Sequence, residues 1–300
     1  MVIVKSLVKK HLIKLPQEVE IGADSSAREP SQGLTPGKRL ILIERVRQDW
    51  IEGQGLLARL MADVNPLALQ IKEVNTGIEP PLNNIVYQQD LPEILRPSEA
   101  ITRIFDKFKR LLILGDPGSG KTVLLLELAR ELLERAENKS DPIPVIWNLT
   151  SWTPKSGKLD NWLLEELNKQ SQIDIQGMRR GLDSGEIILL LDGLDEVKAE
   201  YREACFVAVN DFLRRNGSTL IAVCCRTADC KLMCSALGEK LRLRRTVELL
   251  RLTDVQARTC LDAGGEPLIH LRNALETRPD LAEFLKAPLY ARNHSEKECC

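Results

Sequence analysis

The chain has 300 residues, with 42 Lys and Arg against 43 Asp and Glu, 43% hydrophobic and 28% charged residues, and a net charge of −1. That is the make-up of an ordinary globular protein with a real core, and it supplies no overall field to draw the chain to nucleic acid or a membrane surface. No apolar run approaches the ~18 residues of a membrane span, and Met1–Lys5 opens no secretory leader, so a cytoplasmic location is the expectation.

In chain order, residues 1–37 combine a short basic-apolar stretch with Ser25–Gly33, rich in Ser, Pro and Gly, and read as an N-terminal segment and linker. Residues 38–88 read as a helical lead-in. Leu40–Ile51 carries apolar residues at helical spacing, a second helix is expected over Gly55–Met61, and Gly77–Pro81 is turn-rich. Ser98–Lys109 can form a helix with Ser98 as its N-cap and Ile101, Ile104 and Phe105 on one face.

The apolar run Leu111–Leu114 then leads into Gly115-Asp116-Pro117-Gly118-Ser119-Gly120-Lys121-Thr122, which fits G-x-x-x-x-G-K-[ST] at every fixed position. Val123–Arg130 continues as a helix. Glycines let the backbone wrap an anion so that successive N–H groups point at phosphates, and the helix start adds its positive dipole end. Lys121 would reach the β- and γ-phosphates and Thr122 would ligate Mg²⁺. Gly115 through Thr122, with Val123 at the head of the helix, are the expected contacts of a nucleoside triphosphate.

Beyond this helix, strands are expected at Pro142–Leu149, Glu186–Leu191, Thr219–Cys224 and Thr246–Leu250, with helices over Asn161–Lys169 and Ala199–Arg215 between them. The alternation argues for an α/β fold, a parallel sheet with helices on both sides. Residues 253–300 turn helical. Asn138–Asp141 spells N-K-x-D, a guanine-reading string, but it precedes the acidic strand rather than following it, which argues against guanine specificity. Cys225, Cys230 and Cys234 invite a zinc reading, yet no C-x-x-C pair occurs and the three histidines are remote in sequence. The basic stretches Lys5–Lys14 and Lys240–Arg245 read as solvated surface, and Cys299-Cys300 does not match a prenylation signal.

Leu189–Glu196 ends an apolar strand in Asp192-Gly193-Leu194-Asp195-Glu196, at the strand end where open α/β sheets place ligands. Asp192 is the candidate Mg²⁺ ligand. Asp195 and Glu196 are the candidates to orient or deprotonate an attacking water, with Glu196 favoured. Arg226, just past the strand ending in Cys225, can sense a γ-phosphate and stabilise transition-state charge. Asn148 ends another strand, where a plain turn residue and a site-ordering residue are the two readings.

Together these residues resemble the NACHT family, a branch of the STAND class of P-loop NTPases. The resemblance rests on Gly115–Thr122, on the D-G-x-D-E form of Asp192–Glu196, on Cys225-Arg226, and on Leu285–Tyr290, whose Pro288 matches the segment that touches the nucleotide base. It covers about residues 100–290, with 89–252 as the NTPase domain. It implies ATP (or GTP) with Mg²⁺, slow hydrolysis, self-association through the NTPase domain, and protein partners that the sequence does not name. Ile101 and Phe105 would line the base pocket or pack an apolar helix on the core. Trp50-Ile51 would anchor the lead-in. Family members continue into a winged helix and a repeat-built sensor, so a chain stopping soon after Tyr290 is expected to be a truncated or frameshifted product. Two rivals stand beside the switch: an AAA-like ATPase with sustained turnover, and a binding module that holds nucleotide without hydrolysing it. A cassette-type ATPase is disfavoured because no L-S-G-G-Q-like signature lies between Lys121 and Asp192.

Overall fold

A computed structural model describes residues 33–52, 71–74, 97–138, 141–171, 175–251 and 253. Helix α1 (Pro36–Val46), capped by Thr35 and followed by a π-type turn over Arg47–Ile51, opens the described chain. Strand β1 is Ile71–Val74 and helix α2 is Pro97–Phe108. There follow β2 (Arg110–Gly115), α3 (Lys121–Asn138), β3 (Ile143–Asn148), α4 (Leu159–Ser171), α5 (Ile175–Asp183) and β4 (Ile187–Asp192). The last elements are α6 (Ala199–Arg215), β5 (Ile221–Arg226), α7 (Thr227–Leu237) and β6 (Arg245–Leu249).

The six strands form one sheet in the order β1-β6-β2-β5-β4-β3. Strands β2 to β6 are mutually parallel, as the strand–helix alternation predicts, and β1 adds an antiparallel edge to β6. Every residue of β2 is buried, as are the first five of β3, β4 and β5. Strands covered on both faces read as unbroken apolar runs, and this is why Leu111–Leu114 and Ile187–Leu191 are visible in the sequence. Helix α3 turns a broad apolar face inward, with Leu124, Leu125, Leu126, Leu128, Ala129, Leu132, Leu133 and Ala136 buried. It packs on β3, β4, β5 and β2 from one side and takes α1 and α2 against its outer surface.

Four elements differ from expectation. Strand β1 lies within the segment read as helical lead-in. Four residues give little periodic signal, and its pairing partner Thr246–Leu249 is remote in sequence. Helix α5 contains Gly177 and Gly181, and the Leu34 side chain packs where a Cβ on Gly181 would project, 2.7 Å from its nearest atom. Helix α7 carries the cysteine cluster. Helix α2 starts at Pro97, whose fixed φ suits a first helical turn, so Ser98 is inside the helix and its carbonyl accepts from Thr102 Oγ1 at 2.7 Å. The helix ends at Lys109, the one non-glycine residue with positive φ (62°) among those described. Lys109 N–H closes onto Phe105 O, and its own carbonyl accepts from Ile221 N–H, tying α2 to the start of β5.

The lead-in helix α1 is fixed to the domain. Leu42, Ile43, Val46 and Ile51 are buried, Trp50 packs partly against the core, and the Arg39 guanidinium donates to Ala136 O and Asp141 O. The expected helix over Gly55–Met61, the segment Leu285–Tyr290 with Pro288, and the rest of 254–300 lie outside the described residues.

Candidate nucleotide-binding and hydrolysis site

The parallel strands end together at one edge of the sheet, which gathers the predicted residues. Gly115 pairs in register with Arg226, and Asn148 with Asp192. Gly115 is required by close approach: a Cβ there would lie 2.5 Å from Ser119 Oγ and 3.3 Å from Leu249 Cβ. Gly118 and Gly120 take φ of 72° and 92°, a region that side chains resist. Ser119 N–H donates to Asp116 O and Leu124 N–H to Gly120 O, so loop and helix are continuous. The Lys121 ammonium donates to Gly115 O at 3.0 Å and to Asp116 O at 2.9 Å, which suspends it over the loop.

Thr122 Oγ1 donates to Asp192 Oδ2 at 2.8 Å, joining the loop to the end of β4. Burial, ahead of the nearby Asp195 charge, pushes the Asp192 carboxyl above its ordinary range, against the hydrogen bonds it accepts from Thr122, Cys224 and the Gly193 backbone. Gly193 turns the chain at φ 74°, and a short helical turn, Leu194–Glu196, follows. Glu196 is exposed and its carboxylate folds back over Gly193, where an added Cβ would stand 3.1 Å from Oε2. Its carboxyl is also pushed up, first by partial loss of solvent where it folds onto the turn, then by Asp192 and Asp195, while Arg226 and Lys121 pull it down.

Asp195 is buried, at 6% exposure, and faces Arg226: it accepts from Arg226 N–H at 2.8 Å and from Arg226 Nε at 2.8 Å. Its two oxygens are therefore committed to the end of β5 and not turned to solvent beside Glu196. Asn148 Oδ1 accepts from Thr150 N–H, capping the short turn after β3. Ile101 and Phe105 are fully buried in the core. Asp141 precedes the start of β3, at the opposite end of the parallel strands from Gly115. Val123 is half-buried in the first turn of α3.

Two partners at this edge have no sequence signal. Arg251, beyond the end of β6, places Nε 2.7 Å from Asp116 Oδ2 in the loop. Cys224 lays its thiol against Asp192 and, at 3.9 Å, against Lys121 O. Both depend on which strands flank β2, and that is a property of the sheet.

The residues present fit a triphosphate and a hard cation. The loop offers backbone N–H groups and a helix start, and the buried Ser119 Oγ has no hydrogen-bond partner among the described residues. Thr122 Oγ1 and Asp192 Oδ2 form an all-oxygen pair of the kind Mg²⁺ prefers. Fold and site together define a nucleotide-binding P-loop NTPase fold.

No protein-family model matches the chain, and no curated protein matches it. Among solved structures it is similar to C. elegans PCH-2 (18% identity, 59% of this chain and 46% of that chain, TM-score 0.34). It is also similar to the Walker-type ATPase paby2304 of Pyrococcus abyssi (14% identity, 69% of each chain, TM-score 0.40). A third is Cdc6p from Pyrobaculum aerophilum (15% identity, 64% of this chain and 54% of that chain, TM-score 0.34). The chain thus spans about half the length of the PCH-2 and Cdc6p chains. These overlaps are partial, and the fold assignment stands on the sheet order and the loop. Among the described residues no helix is long and apolar enough to cross a membrane.

Proposed function

We propose that the chain is a nucleotide-dependent switch of NACHT type that binds ATP, or GTP in its place, with Mg²⁺ and hydrolyses it slowly, with residues 89–252 as the NTPase domain. The observation that carries the reading is the Thr122–Asp192 hydrogen bond of 2.8 Å, which joins the phosphate loop to an acidic strand end carrying Glu196. When bound, Mg²⁺ would neutralise part of the charge of the triphosphate whose γ-phosphoryl group water attacks. Lys121 would add positive charge at the phosphates, while Thr122 and Asp192 would hold the cation. Glu196, exposed and with its carboxyl raised above its ordinary value, takes the proton from water. Arg226 senses the γ-phosphate, and Asp195 fixes Arg226 by its backbone and side chain. Pro288 as a base contact, self-association through this domain, and protein partners are carried by the family resemblance.

The test is nucleotide content and turnover of the purified protein. A switch retains ADP, turns over slowly, and traps ATP as Glu196→Gln. Many turnovers per second without any ligand would favour the AAA-like alternative, and folded protein with neither bound nucleotide nor hydrolysis would favour the binding module. Unchanged affinity in Lys121→Ala would exclude the loop as the nucleotide site.

A further inference from the structure

The stretch Lys240–Arg245, in the sequence only a run of charge, takes a fixed shape in the fold. Helix α7 ends at Gly238, which turns the chain left-handed at φ 65°. The loop that follows is clamped from α6. Buried Asn210 donates through Nδ2 to Lys240 O at 3.0 Å and accepts through Oδ1 from Arg242 N–H at 2.9 Å. Leu243 N–H closes onto Leu241 O at 2.8 Å, a three-residue turn with Arg242 at its tip. Leu241 and Leu243 are buried, and Lys240, Arg242 and Arg244, alternating with them, are exposed.

Neighbouring elements extend this row of cations. Arg244 N–H donates to Arg110 O at 3.0 Å, which sets the loop beside the start of β2. Arg110 is itself buried and donates to Thr219 O and Asn216 O, carbonyls that leave its charge in place. The Arg245 guanidinium carbon and Lys107 Nζ lie 4.1 Å and 5.3 Å from the centre of the Phe108 ring, so one ring gathers a cation from β6 and another from α2. Carboxylates on the adjoining helices are committed elsewhere, Asp106 to Lys109 and Arg135, and Asp211 to Arg214. Among the described residues Arg242 and Arg244 make no ion pair, and Glu239 is the one acid within residues 238–245.

We propose that this row is a docking surface for the phosphate backbone of duplex DNA, held without regard to base sequence. Guanidinium forks meet phosphate oxygens in two-point hydrogen bonds, and each phosphate neutralised releases counterions. Three features choose the partner. The leucines of the loop are buried in the protein and not offered to a lipid headgroup layer. The Phe108 ring already carries two cations, whereas single strands are held by bases stacked on open rings. Within residues 240–245 the exposed side chains are all cationic, which suits phosphates and gives no reader of base edges or of a ribose 2′-hydroxyl. Arg110 and Gly115 are the two ends of β2, about 16 Å apart. The surface is therefore clear of the phosphate loop, and the proposal does not depend on the nucleotide reading.

The experiment titrates the full chain, free of nucleotide, into a labelled DNA duplex of mixed sequence and reads fluorescence anisotropy between about 50 and 200 mM salt. The expected dissociation constant at the low-salt end is on the order of 10⁻⁵ M or tighter, with a log–log salt slope of about −3 for three phosphate contacts. Arg242→Ala/Arg244→Ala should weaken binding by about tenfold or more and flatten the slope to about −1. Its melting temperature should be unchanged, because Asn210 holds only the backbone of Arg242. Arg242→Lys/Arg244→Lys, which keeps the charge, should keep the slope.

An unmodified protein that fails to bind the duplex at the low-salt end would overturn the proposal, as would an alanine variant that binds like the unmodified protein. Loss of binding in Lys9→Ala/Lys10→Ala, with the loop variant unaffected, would move the contact to the N-terminal segment and also overturn it. Tighter binding to single-stranded DNA, to duplex RNA or to phosphatidylserine vesicles than to the DNA duplex would overturn the choice of partner. No arm reads nucleotide, so failure here and failure of the switch reading are separate results.

Discussion

Asp192, Asp195 and Glu196 lie within five positions and occupy three different environments. Asp192 is held by Thr122, Asp195 is buried against Arg226, and Glu196 is exposed beside both. Their substitutions therefore separate. Glu196→Gln is expected to lower single-turnover hydrolysis by about 10²–10⁴ while nucleotide affinity stays within a few-fold, as read by rapid quench and by titration. Asp195→Asn removes the charge that pairs with Arg226 and is expected to cost about 1.5–3 kcal/mol in denaturant melts, which Glu196→Gln does not. For Asp192 the native carboxyl is raised above its unfolded value, so the folded state binds the proton more tightly. Its contribution to stability is present below the unfolded value and lost as pH rises through the native one. Asp192→Asn should accordingly melt above the unmodified protein at neutral pH, in metal-free and nucleotide-free buffer, with the gap closing as the solution is acidified. Gly115→Ala forces a methyl against Ser119 Oγ, so triphosphate affinity should fall with only a modest change in melting temperature.

At the scale of elements, α1 has a sharp boundary between residues that matter and residues that do not. Leu42 is 1% exposed and Leu40 is 67% exposed, two positions apart. Leu42→Ala should cost about 2–5 kcal/mol, whereas Leu40→Ser should stay within about 0.5 kcal/mol, both by chemical denaturation. The same scale explains what the sequence discloses. Strands β2 to β5 announce themselves because burial on both faces leaves them continuously apolar, and Asp192–Glu196 is visible because its turn is local. Helix α7 hides because its residues 227–237 mix cysteines with polar groups, and α5 because two glycines interrupt it. The Asp195–Arg226 clamp joins residues 31 apart, and the Asp116–Arg251 pair joins residues 135 apart. No spacing rule reaches that far. Those contacts exist only once β5 and β6 flank β2.

For the whole molecule, the proposed ligand should act as a brace across the parallel strand ends. A nucleotide at 100 times its dissociation constant adds about 2.7 kcal/mol of stability. The melting temperature should rise with Mg²⁺ and ATP and fail to rise in Lys121→Ala, as read by scanning fluorimetry. Residues 33–51 share in that stability, because Arg39 and the buried face of α1 bind them to α3 and to the approach to β3. Removing 1–51 should lower the melting temperature of the remainder even though it deletes no residue of the site.

Strand β2 sits between β5 and β6, residues 221–226 and 245–249, both of which leave the ribosome long after the loop has emerged. At about 5–20 residues per second the wait is on the order of ten seconds. During that time an apolar strand and a glycine-rich loop have neither neighbour to fix them. A nascent chain arrested before residue 245 should therefore be held by chaperones and fail to retain nucleotide, whereas one long enough to expose residues 245–251 should retain it. The phosphate loop is written early in the chain and assembled late.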